Sequence, residues 1–248
     1  MTFPTAPLFY IIASLAVIVV GLAKGGFAGL GAASMPLLAL VMDPIAGAAM
    51  LLPILLLQDL VSVWAFRRSY DGRTLAWMLP GAVFGIFLGW LLASSVDSDA
   101  VRALVGIISV AFGAYRLSGY KPKSKRELPQ VLATFWGTAA GFTSQVAHSG
   151  GPPFQIWALS RNFPHTVFIG TSSIFFAVVN WIKVPAYLAL GQFTADNMKF
   201  TLLFLPVALA STFAGVWLVK RIDPQRFYGI IAVLMIAVGV ELLWDSVA

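Results

Sequence analysis

The sequence predicts an all-α, polytopic membrane protein: two inverted repeats of about five helical segments each, with interrupted or re-entrant short helices meeting at the midplane. Three observations predict it. Hydrophobic residues fill 59% of the 248 positions and charged residues only 10%, against roughly 25% charge in soluble domains. Apolar runs recur from end to end. In each half one run is broken by glycine, proline and polar residues at corresponding places, Lys24 to Pro36 and Gly141 to Pro153.

The first run, Leu8 to Ala23, follows Met1 to Pro7, which lack the Lys or Arg of a signal-peptide n-region. It passes into Lys24-Gly25-Gly26 without a small-residue cleavage pattern, so it is read as a retained span. Gly25 to Met42 holds the first broken stretch. Ile45 to Phe66, Thr74 to Ala93 and Val101 to Leu117 complete a first repeat, residues 1–118. Residues 119–130, with Lys121, Lys123, Lys125 and Arg126, form a polar cytoplasmic linker. In the second repeat, residues 131–248, the brief runs Val131 to Phe142 and Phe154 to Leu159 flank the other broken stretch. Val167 to Leu190, Phe200 to Val219 and Phe227 to Trp244 follow. Several runs reach the length of about 20 residues that a span requires, whereas those beside the broken stretches are short.

One register relates the halves. A shift of 126 residues places Pro80 on Pro206, Gly89 on Gly215, Asp97 on Asp223 and Gly113 on Gly239, with Ala82, Phe87, Leu92, Ala111 and Leu117 also on identical residues. A shared Pro, Asp and two Gly without a gap mark a duplication. Basic residues in short loops mark the cytoplasmic side. Arg67, Arg68 and Arg73 form one such loop, Arg116 to Arg126 a second, Arg161 with His165 a third, and Lys220, Arg221 and Arg226 a fourth. Asp97 with Asp99, Gly191 to Asp196, and the terminus with Glu241 and Asp245 then lie outside. Corresponding loops fall on opposite sides, so the repeats are inverted. Five spans each, or three spans and a re-entrant hairpin, satisfy the pattern equally; the brevity of Phe154 to Leu159 favours the hairpin.

Composition also excludes. No cysteine is present, so disulfides, Cys-ligated zinc and thiol chemistry are ruled out, and two lone histidines argue against a metal site. No cofactor is expected. The net charge of +6 follows from loop topology rather than from nucleic acid.

Lipid offers a backbone no hydrogen-bond partner, so a broken helix at depth must be buried in protein or line a cavity. A matched pair of breaks therefore points to the site of a carried substrate. The helices resuming near Gly31 to Ser34 and Ser149 to Gly151 would turn free N–H groups and positive dipole ends inward, toward an anion. Pro152 suits a first helical turn. Gly25, Gly26, Gly29, Gly31, Gly150 and Gly151 either let the backbone approach a substrate or serve close helix packing. Ser34, Thr143, Ser144, Gln145, His148, Ser149 and Gln155 bring more polarity to that level than packing needs. His148 has two roles open to it, donating to substrate or taking up a proton, or being satisfied by a neighbouring carbonyl. His165 reads as a loop residue.

Lys24 sits either at the cytoplasmic tip, snorkelling, or in the cavity. Asp59 is too deep to remain an unpaired carboxylate. It is either protonated and coupled to transport or paired with Lys24 or a loop arginine. The second repeat offers Thr171, Ser172, Ser173, Asn180 and Lys183, the last near the outer end, attracting anions to the exit or snorkelling.

At these residues the chain resembles the TauE/SafE sulfite-exporter family. The resemblance rests on Gly25 to Pro36 followed by Leu37-Leu38, on the partner stretch ending Gly150-Gly151-Pro152, and on Gly170-Thr171-Ser172-Ser173 with Asn180, Lys183, Pro185, Tyr187 and Gly191. It implies a two-repeat, multi-pass carrier of the bacterial inner membrane for sulfite, sulfoacetate and other sulfonates. Ala32 and Ala33 stand where members often continue the glycine run, and Gln145 to Ser149 replace a more apolar turn. The polar turn suits a ligand with more oxygen atoms than sulfite.

The expected function is secondary export of a small organosulfur anion by alternating access. Substrate would be held by the six glycines with Ser34, Gln145, His148, Ser149, Gln155, Thr171, Ser172 and Asn180. Lys24, Asp59 and Lys183 would serve coupling or gating. The expected partners are that anion, membrane lipid and a second copy of the chain as a homodimer. Two other readings are weighed. An intramembrane hydrolase would use Ser149 or Ser144 with His148, but neighbours on one turn point apart and no nearby carboxylate orients the imidazole. A cation carrier would need more deep acids than Asp59.

Overall fold

The computed structural model describes residues 7–93, 95–119, 129–222 and 225–247, excepting the side chains of 225–228. Most of the expected linker, including Lys121 to Arg126, and Asp223, the repeat partner of Asp97, lie outside the described residues, as do residues 1–6. Among the described residues the chain is helical, without a strand. In order come α1 (Pro7–Lys24), a 3-10 turn (Leu30–Ala33), α2 (Ser34–Ala39), α3 (Pro44–Phe66), α4 (Gly72–Leu92) and α5 (Ser98–Leu117). There follow α6 (Val131–Ala147), α7 (Gly151–Ser160), α8 (His165–Ala189), α9 (Ala195–Leu218) and α10 (Gln225–Asp245).

Six of these, α1, α3, α4, α5, α8 and α9, are long and apolar enough to cross a membrane. At 1.5 Å per residue, the 6 residues of α2 and the 10 of α7 cover roughly a third to a half of a hydrocarbon core of about 30 Å. The short elements thus fall where the broken stretches predict them. Burial is reversed relative to a soluble protein: Leu15, Trp64, Phe84 and Leu202 face outward, while Gln58, Asp59, Ser62, Thr171, Asn180 and Lys183 are buried. A lipid solvent explains both halves of that pattern, since it accepts apolar side chains and rejects polar ones.

Helix starts are set locally. The Asp43 carboxylate accepts from the Ala46 amide at 2.8 Å, Asp71 from Thr74 at 2.6 Å, and Asp97 from Ala100 at 2.8 Å. Each satisfies an amide that the first turn leaves without a partner. The second broken stretch starts later than its composition implies. Helix α6 continues through Gly141 to Ala147 because Thr143 returns its hydroxyl to the Ala139 carbonyl at 2.7 Å, within its own helix. The break itself is His148, Ser149 and Gly150.

Close glycine contacts fix how the helices pack. On the α4–α6 seam, a Cβ at Gly81, Gly85 or Gly141 would come 2.1 Å from the carbonyl oxygen of Thr134, Thr138 or Ala82. On the α1–α9 seam, a Cβ at Gly25 would lie 2.5 Å from Gly215 Cα. In α5 and α10, Gly106 meets the Gly239 carbonyl and Gly113 the Ala232 carbonyl, so this pair runs antiparallel. The packing partners also come in matched sets: α4 with α6 and α9 with α1, α3 with α9 and α8 with α4, α3 with α8, and α5 with α10.

Replacing Gly141 by Ala forces the α4 backbone to retreat, at a cost of about 1–3 kcal/mol for an overpacked core. Gly72→Ala, whose new Cβ would meet only the Tyr70 ring at 3.7 Å, serves as the control. Thermal unfolding followed by size-exclusion fluorescence is expected to show a drop of several degrees for the first and little change for the second.

Candidate functional site

Between the two breaks lies a cavity of about 90 Å3, room for several waters or a small oxyanion. The first break contributes Lys24, Gly29, Gly31 and Ser34, and the second Ser144, His148, Gly151 and Gln155. Helix α8 adds Ser172, Phe176 and Asn180, and Leu51 and Leu55 of α3 close it. Ser172, Phe176 and Asn180 recur every four residues, so one stripe of α8 faces this space. The positive φ of Gly29, 112°, turns the chain into the 3-10 segment in a conformation that only glycine adopts freely.

Two charged arrangements border the cavity. At the end of α1, Lys24 forms an ion pair with Asp59 of α3, and Asn180 Nδ2 donates to the other carboxylate oxygen at 2.6 Å. Asp59 is 1% exposed. Ser62 donates to the Lys24 carbonyl at 2.7 Å and shares a hydrogen bond with the Ser173 hydroxyl. The Phe176 ring lies 5.6 Å from the Lys24 ammonium. At the end of α6, Lys183 Nζ donates to the Ser144 carbonyl and hydroxyl, both at 3.1 Å, and to His148 Nδ1 at 2.6 Å. Three acceptors thus meet the three N–H donors of an ammonium. His148 Nε2 lies 2.7 Å from the Ala48 carbonyl oxygen. A carbonyl only accepts, so Nε2 carries the proton and Nδ1 receives from Lys183; these partners assign a neutral imidazole.

Lys24 is paired with Asp59, whereas Lys183, 0% exposed, is held by the Ser144 carbonyl and hydroxyl and by His148, with no carboxylate among these contacts. Two hydrogen-bonding side chains at the cavity, Gln155 and Ser172, have no protein partner among the described residues. Gln155 is only 4% exposed.

Several sequence-derived residues lie elsewhere. Gly25 packs against Gly215 of α9, Gly26 against Val219 just after α9, and Gly150 against Ala140 and Ser144 of α6; here glycine serves helix contact. Ser149 is buried and returns its hydroxyl to the Ala147 carbonyl at 3.1 Å. Thr171 accepts from the Asp71 amide at 2.8 Å, tying α8 to the start of α4. Gln145 faces a separate cavity. Lys183 does not snorkel, because it is fully buried and its head is engaged by Ser144 and His148. Lys24 is likewise drawn into the interior by Asp59 rather than extended to the surface. Free N–H groups are fewer than expected too. Leu30 and Ala32 donate to Phe27 and Gly29, while Pro152 and Pro153 have no N–H, leaving Gly151 as the donor in the first three positions of α7.

Sequence reasoning missed the link between His148 and Lys183. One signal could have exposed it: Lys24 precedes Asp59 by 35 residues, and His148 precedes Lys183 by the same 35.

A family model described as sulfite exporter TauE/SafE matches residues 13–242. The chain belongs to that family. Membership makes it a multi-pass membrane transporter of the sulfite and sulfonate exporter type, and not an enzyme. No match was found among curated proteins or among solved structures. The geometry agrees with transport over hydrolysis: both nitrogens of His148 are engaged and the Ser149 hydroxyl is bonded to backbone, so Ser149 does not face His148 as a nucleophile would face its base. Asp59, held by Lys24 and Asn180, is not free to ligate a cation.

Removing one partner of a buried ion pair strands the other and costs about 3–5 kcal/mol, whereas removing both is far milder. Lys24→Met is expected to lose that much stability and Lys24→Met/Asp59→Asn to recover most of it. A double-mutant cycle on unfolding in detergent checks the coupling.

Proposed function

We propose that this member carries a small sulfur oxyanion, sulfite or a sulfonate such as sulfoacetate, outward across a bacterial inner membrane by alternating access. The reading rests on one observation above others: a cavity at the meeting of two broken helices is lined by the unpartnered Gln155 and Ser172, with the buried Lys183 one hydrogen bond behind the lining residues Ser144 and His148. An oxyanion accepts hydrogen bonds from both side chains and is drawn toward the lysines beside them. Low dielectric strengthens that attraction.

Inverted repeats provide the moving parts. The antiparallel α5–α10 contact, the exchanged packing partners and the 126-residue register support two halves related by an axis in the membrane plane. With basic loops inside, the cavity continues toward the cytoplasm. It shares Ala28 and Gln155 with a second cavity of about 290 Å3 lined by Arg116 and His165. That arrangement fits an inward-facing state ready to load. The membrane potential then drives an anion outward by about 2.3 kcal/mol per charge per 100 mV.

Purified protein screened by thermal shift is expected to respond to sulfite or sulfoacetate and not to taurine, whose ammonium cancels its sulfonate. Gln155→Ala, which removes a hydrogen bond to a charged ligand, should weaken the responding anion by roughly 10-fold or more. A shift from every anion alike, or from none, would overturn the assignment.

A further inference from the structure

We infer that the His148 side chain is the outer gate of the anion pathway, and that the cavity behind it is the compartment through which the anion leaves. The inference rests on the transport reading for its cargo, but the geometry of the gate stands apart from the cargo's identity.

The outer cavity measures about 250 Å3 and is lined by Ala48, Ala93, Val96, Gln145, Tyr187 and Gln192, among others. It has no lining residue in common with the central cavity, in contrast to the inner one. Ala93, Val96 and Gln192 sit by the loops that the acidic residues place outside. Gln145 is 4% exposed, and its side-chain oxygen has no partner among the described residues, so the compartment is suited to a polar guest or water rather than lipid.

His148 is the side chain between the two spaces. It lines the central cavity, yet its Nε2 donates to Ala48 and its ring stacks on Tyr187 with centroids 6.0 Å apart, and both of those residues line the outer cavity. Tyr187 is braced in turn by donating to the Gln145 carbonyl at 3.1 Å. The imidazole thereby bolts the turn after α6 to α3 and α8 at once. Its backbone is left-handed, with φ of 49°, a conformation that a residue with a side chain holds at some strain. Release of its two hydrogen bonds, to Ala48 and Lys183, and of one ring contact would let the turn relax and join the two spaces. The inner end carries an equivalent bolt between helices, Lys24 to Asp59, at the same 35-residue separation.

The chain has no cysteine, so single cysteines can be introduced directly into the full protein. Ser172→Cys reports on the central cavity and Val96→Cys on the outer one. A membrane-impermeant maleimide, added from outside to right-side-out vesicles, is expected to label Val96→Cys readily and Ser172→Cys slowly. Adding His148→Ala should speed the labelling of Ser172→Cys at least 10-fold and leave Val96→Cys unchanged, which also reports that the fold survives. His148→Phe, which keeps the bulk without the hydrogen bonds, should restore slow labelling if the ring is the plug. Equal rates for Ser172→Cys with His148 and with Ala would overturn the gate. Because labelling needs no substrate, that failure would leave the anion reading untouched, and a failed anion screen would leave the gate untouched.

Discussion

A charge inside lipid must find its partner within the protein, and the network of Lys24, Asp59, Asn180, Lys183 and His148 is this molecule's answer to that constraint. Each of these groups is held by another, and the elements carrying them are pinned as a consequence. Lys24 fixes the end of α1 against α3. Lys183 fixes the end of α6 against α8 through Ser144 and His148. The breaks are tolerated at those points because they are buried in protein and line the cavity that the network borders. Taking Lys183 out of water without a carboxylate partner is costly. On the proposed reading an anion in the neighbouring cavity would offset that cost.

Glycine sets the other constraint. Four glycines on the α4–α6 seam and the Gly25–Gly215 contact bring backbones closer than any side chain allows, which is how helices associate when lipid removes the hydrophobic drive between them. The two seams join a helix of one half to a helix of the other. Gly25 therefore couples the position of the first break to α9, although it never borders the cavity. Its neighbour Lys24 does, so a rocking motion of α9 against α1 would be felt at the ion pair one residue away.

Much of this was legible in the sequence because lipid leaves few options. Composition, the two broken stretches and the short run Phe154 to Leu159 sufficed for an all-helical membrane protein with half-length helices. The pairing of Asp59 with Lys24 stood as one of two explicit alternatives, since an isolated carboxylate at that depth is untenable. The environment of Lys183 was not legible. Its place near the end of an apolar run suggested snorkelling, and only packing of α8 against α6 reveals three acceptors waiting for it. Gly25, Gly26 and Gly150 were ambiguous for a related reason: backbone packing and ligand approach both select the same residue. The end of α6 was misplaced because threonine and serine read as breakers, whereas Thr143 folds its hydroxyl back onto the helix.

The two bolts occupy equivalent places yet differ in chemistry, and that difference bears on direction. Lys24 with Asp59 is a neutral pair, so an arriving monoanion gains little by competing with a carboxylate already in place. Lys183 is held by a neutral imidazole and by Ser144, with no carboxylate among these contacts, so on the proposed anion reading this side is the more receptive one. His148 lines the cavity and Lys183 stands one hydrogen bond behind it, so an anion bound there would compete for a contact that holds the imidazole in place. On that reading the cargo itself weakens the outer bolt, while the inner pair stays intact.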